Sequence, residues 1–97
     1  MIMEIECLAN PPGTPDSKYA HVEAAIAVIQ QSGLPYEVDA LGTTVEGDPD
    51  AIWALGRAVH EACLNAGADS VVSVVKFAQS RDAATGATMA SLTGKFR

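Results

Sequence analysis

Residues Gly33–Asp48, GLPYEVDALGTTVEGD, decide the fold, because they close one helix, turn a hairpin and open a second helix. Gly33 reads as the glycine that ends a helix, since it alone adopts the left-handed backbone without strain. Asp48 stands immediately before Pro49, the pattern of a side-chain N-cap followed by proline in the first helical position. Between them, Tyr36–Leu41 and Thr43–Glu46 are short strand-like runs separated by little more than Gly42. The second run carries Thr43, Thr44 and Glu46, more polar side chains than a hairpin requires.

Working outward, Met1–Leu8 alternates and is β-favouring, so it predicts a first strand. NPPGTPDS, residues 10–17, predicts a loop. A helix is expected over about Ser17–Ser32, with Val22, Ala25, Ile26 and Ile29 along one buried stripe. A second is expected over Pro49–Ala66, stopped by Gly67, with Ile52, Leu55, Val59, Ala62, Cys63 and Ala66 facing the core. Asp69–Phe77, containing VVSVV, predicts a fourth strand. From about residue 79 the chain turns to a tail rich in small residues, with only a helical turn over Met89–Leu92. All 97 residues are expected to form one domain.

The order βαββαβ predicts an α+β, ferredoxin-like sandwich: a four-stranded antiparallel sheet with two helices on one face. Alternation then places Glu4 and Glu6 together on the open face, beside Thr44 and Glu46 of the neighbouring central strand.

The net charge of −6 and pI near 4.6 argue against a phosphate-backbone partner. The six Lys and Arg form no cluster, so no nucleic acid is expected. The first run is interrupted by Glu4 and Glu6, and no apolar stretch approaches the ~20 residues of a membrane span. Cys7 and Cys63 show no metal spacing and read as small buried hydrophobes. A reduced, cytoplasmic setting without membrane association follows as the expectation. His21 and His60 lie on different helices with no ligand pattern, so no metal is expected, and no nucleophile elbow or phosphate cradle is present.

Several marks in series resemble the small thiamine-binding protein family. They are the loop Pro11, Pro12, Gly13; the hairpin, which is similar to GLxYExxxxGTxxEG; His60–Glu61; the AGAD turn, Ala66–Asp69; and VVSVVKFAQSR with Lys76 and Arg81. After Arg81 the chain departs from the family's more charged pattern. The resemblance implies a ferredoxin-like protein, non-enzymatic and cytoplasmic, that binds thiamine or its hydroxymethylpyrimidine moiety as ligand and needs no other cofactor. It further implies a homo-oligomer, a dimer or a tetramer.

Within that frame Glu46 is the first candidate, because an aminopyrimidine edge needs a strong acceptor and a carboxylate supplies it. Thr43 and Thr44 could bond the ligand edge. Alternation puts Thr44 on the face of Glu46, whereas the family signature favours Thr43. Tyr36 and Trp53 are candidate platforms for a flat ring. Trp53 falls on a second stripe of its helix with Gly56, His60 and Leu64, which reads first as a subunit contact and second as a ligand wall. Lys76 reads first as an ion-pair partner of Glu4, Glu6 or Glu46, and second as a contact to a bound hydroxyl or anion. Two rival readings stand beside this one: a cofactor-free enzyme in a dimer cavity, with His60 or Glu46 as base, and a structural or regulatory interaction module.

Overall fold

In the computed structural model, which describes residues 1–97, the hairpin joins Tyr36–Val38 (β2) to Thr43–Glu46 (β3). The longer strands Ile2–Asn10 (β1) and Ser70–Ala78 (β4) complete a four-stranded sheet in the order β2-β3-β1-β4, with every pairing antiparallel. The first strand therefore runs two residues past its expected end, and β2 stops three residues short of Leu41. The helices Ala20–Gln30 (α1) and Pro49–Ala66 (α2) cover one face, as the ferredoxin-like order of elements predicts.

Local chemistry sets the helix ends. The Asp48 carboxylate accepts from the Ala51 backbone N–H at 3.1 Å, and Pro49 occupies the first turn. Gly67 ends α2 at φ +124°, and a Cβ there would sit 3.2 Å from Nε2 of buried His21. Backbone conformation and packing both demand glycine at that corner.

The core lies between sheet and helices. Met3, Ile5 and Val45 face Ala25 and Ile29 of α1 and Ile52, Leu55, Val59, Ala62 and Cys63 of α2. Ile29 and Ile52 are almost wholly buried, each contributing about 2 kcal/mol by removal from water. Two expectations about stripes need correction. Ala66 is exposed, because it lies in the last turn where the chain leaves the sheet. On α1 the fully buried set is His21, Ala25 and Ile29, while Val22 and Ile26 stay half-buried. His21 belongs inside because its Nδ1–H donates to the Pro11 carbonyl at 2.7 Å, which satisfies the ring in the core.

Beyond Ala78 the chain returns across the open face of the sheet. A five-residue helix, Met89–Thr93 (α3), buries Met89. The Thr88 hydroxyl and the Ser91 side chain cap that helix reciprocally. Further on, Arg97 Nη1 reaches Glu37 Oε2 of β2 at 2.6 Å.

Candidate functional site

A mismatch in strand length creates the main concavity. β1 pairs with β4 along its whole length but with β3 only from Ile2 to Ile5. Beyond Ile5 the sheet has no strand on that side, so β1 borders a cleft of about 770 Å³. The cleft is closed by α1 and by the hairpin tip Asp39–Gly42. Val22 and Ile26 of α1 line it, which explains their partial exposure. Ile5, Cys7 and Ala9 form its floor, and Leu41 and Tyr19 stand at exposed rims.

The polar content of the lining has one sign. Glu23 and Asp39 contribute carboxylates, Thr43, Tyr19 and Asn10 contribute neutral groups, and no Lys, Arg or His is among the lining residues. Glu6 borders the cleft from β1 but stands opposite Val74, on the open-face side of the strand. At the rim, Arg97 Nη2 lies 3.9 Å from Asp39 Oδ2, and Lys18 Nζ lies 5.5 Å from the centroid of the Tyr19 ring. An apolar pocket with a few acidic groups suits a flat cation or a ring bearing N–H donors and disfavours a phosphate.

Of the candidate ligand-binding residues named from the sequence, Thr43 alone lines this cleft. It is 4% exposed and stands opposite Ile5 on the helix-facing side, with no bulge in the strand. Thr44 and Glu46 occupy the other face, Thr44 between Glu4 and Glu37 and Glu46 opposite Ile2. There Glu46 Oε2 accepts from the Met89 backbone N–H at 3.4 Å, under the C-terminal segment. Lys76 also lies on the open face, with Nζ 3.5 Å from Glu4 Oε1, both side chains being half or more exposed. Tyr36 stands opposite Val45 and therefore on the helix side. Trp53 stacks on Phe77 with ring centroids 4.2 Å apart. Within the second stripe of α2, His60 bonds Ser73 and Gly56 sits over Met3, while Trp53 and Leu64 keep about half of their surface exposed.

The cleft side chains Tyr19, Val22, Glu23, Ile26 and Leu41 carried no motif and were missed as a group. One signal was available: a first strand of about eight residues beside a third of four implies an uncovered segment.

The chain matches the thiamine-binding protein family over residues 5–95. It belongs to that family. A UPF0045 protein of Clostridium perfringens is 33% identical over 87 residues, covering 89% of this chain and 88% of that one. The structure of a DUF77 domain from Bacillus cereus aligns at a TM-score of 0.85 and 32% identity, covering 99% of this chain and 88% of the other. A candidate thiamine biosynthesis/salvage protein of Thermotoga maritima shares the fold at a TM-score of 0.76 and 22% identity over the full length of both chains. No helix of this family member is long and apolar enough to cross a membrane.

Proposed function

We propose that this chain is a non-catalytic, cytoplasmic binding protein for thiamine or its hydroxymethylpyrimidine moiety, and that the ligand occupies the cleft between β1, α1 and the hairpin tip. The observation that carries the reading is the lining: mostly apolar, with the carboxylates of Glu23 and Asp39 and no cationic side chain. Thiamine brings a flat aminopyrimidine with N–H donors and a permanently cationic thiazolium. Apolar walls accept the rings, carboxylates take the amine and the positive charge, and the Thr43 hydroxyl offers a further bond at the floor. The same lining repels phosphate, so unphosphorylated thiamine is favoured over its diphosphate. Family membership supports the ligand class.

Glu46, on the opposite face and bonded to Met89, has no place in a cleft-bound pose. In this reading it anchors the C-terminal segment instead. Assembly is part of the proposal. Leu8, Val72 and Val74 expose apolar surface along the open face at 51%, 63% and 49%, and a second copy of the chain is the partner we assign to it.

Isothermal titration with thiamine, hydroxymethylpyrimidine and thiamine diphosphate tests the ligand class. Thiamine should bind, and the diphosphate should bind at least about tenfold more weakly, a difference of about 1.4 kcal/mol. A folded sample giving no heat with either unphosphorylated ligand at millimolar concentration sinks the proposal. Light scattering reads the assembly, and Val74→Lys should shift it to monomer.

A further inference from the structure

A second cluster of reactive side chains begins at the floor of the cleft, where Cys7 forms part of the wall, and its chemistry is not used in the function proposed above. Cys7 follows Met3 and Ile5 on the helix-facing side of β1 and lines the cleft. It pairs in register with Ser73 of β4, whose hydroxyl donates to Cys7 Sγ at 3.5 Å. The same Ser73 oxygen lies 2.6 Å from His60 Nδ1. With its one proton committed to sulfur, Ser73 accepts from His60, so a donor chain runs from His60 through Ser73 to Cys7. Cys63, on the next turn of α2 after His60, is wholly buried beside Cys7. Both cysteines are free thiols.

We propose that Cys7 and Cys63 form a reversible dithiol–disulfide site, in which Cys7 is the thiol that hydrogen peroxide reaches through the cleft and Cys63 is the thiol that resolves it. The position of each sulfur sets its role. Cys7 borders the cleft and is only half-buried, whereas Cys63 is wholly buried. Burial, and then the neighbouring Cys7, push the Cys63 thiol up to about 11. It therefore stays protonated and does not compete for the oxidant, because the thiolate is the reactive form.

In the first step the Cys7 thiolate attacks one peroxide oxygen. The O–O bond breaks, Cys7 becomes a sulfenic acid, and the departing hydroxide takes up a proton to leave as water. In the second step the Cys63 sulfur attacks the Cys7 sulfur. The S–S bond forms, and the sulfenic hydroxyl leaves with the Cys63 proton as a second water. Two thiols and one peroxide give one disulfide and two waters, two electrons passing from sulfur to oxygen. An external dithiol reverses the change.

The test exposes the native, full-length protein to hydrogen peroxide and follows it by intact mass and peptide mapping. The chain should lose the mass of two hydrogens, with the peptides of Cys7 and Cys63 joined, and dithiothreitol should restore it. Iodoacetamide should modify Cys7 about tenfold or more faster than Cys63, following exposure and thiolate availability. Cys63→Ser should stop the reaction at a Cys7 sulfenic acid that dimedone traps. Mapping of the wild type decides the matter even if that variant does not fold. Both thiols surviving a peroxide treatment that oxidises the urea-unfolded chain would overturn the site. So would a disulfide found only between molecules, or faster alkylation at Cys63 than at Cys7.

Discussion

The two ends of β3 face different fates, although the strand is only four residues long. At the Thr43 end the neighbouring strand β1 continues alone, and the missing partner becomes a cleft. At the Glu46 end the chain's last segment returns and lays Met89 over the sheet. Thr43 is the more buried of the two, yet it faces the cavity, whereas Glu46 is engaged by a backbone amide. Whether a polar side chain is free to serve a ligand depends on what the rest of the chain places above it. The motif alone does not decide it.

The sharpest way to break this contrast is to put a cation in the cleft. Ile26→Lys places an ammonium in the lining while disturbing only a half-buried position. Thiamine affinity should fall about 100-fold, or about 2.8 kcal/mol. Calorimetric affinity within a few-fold of wild type would move the ligand elsewhere.

At the other end of β3, Met89→Ala removes the side chain that docks the tail. The cost should be about 2 kcal/mol, felt as faster hydrogen exchange over residues 89–97 while the strands keep their protection. Uniform loss of protection across the sheet would show that the tail is integral to the core.

A smaller effect compares carboxylates directly. Asp39→Asn should weaken thiamine binding about fivefold, close to 1 kcal/mol, whereas Glu46→Gln should leave it within about twofold. The reverse order would return the site to the open face.

The smallest change is at Arg97, whose pairs with Glu37 and Asp39 are half-exposed. Arg97→Ala should cost stability no more than about 0.5 kcal/mol. It should also raise thiamine affinity slightly, because Asp39 loses its competing cation.

Much of the fold could be read from individual residues. Asp48–Pro49 and Gly67 bound α2 where expected, and Thr43–Glu46 is the strand that the hairpin pattern implies. Alternation correctly put Glu4, Glu6, Thr44 and Glu46 on one face. The site was less legible because it arises from an absence, the stretch of β1 that β3 does not reach, and no residue marks an absence. Val22 and Ile26 repeat like core residues, and only the neighbouring topology leaves them facing a cavity. In the tail the helical turn expected over Met89–Leu92 is found at Met89–Thr93, but its docking was not legible, for a different reason. Its AATGATMASLTG composition has no periodic apolar face, and a single methionine carries the docking. Cys7 and Cys63, 56 residues apart in sequence, became neighbours only through the crossing of α2 over β1.

The uncovered run of β1 from Glu6 to Asn10 has a consequence for how the cleft responds to mutation. Alternate residues of that run turn main-chain N–H and C=O groups towards the side where a strand would otherwise lie. These donors and acceptors belong to the peptide backbone and survive replacement of every side chain around them. A scan of alanines would therefore understate the site, and a heritable part of its polarity would persist in relatives whose lining side chains have drifted apart.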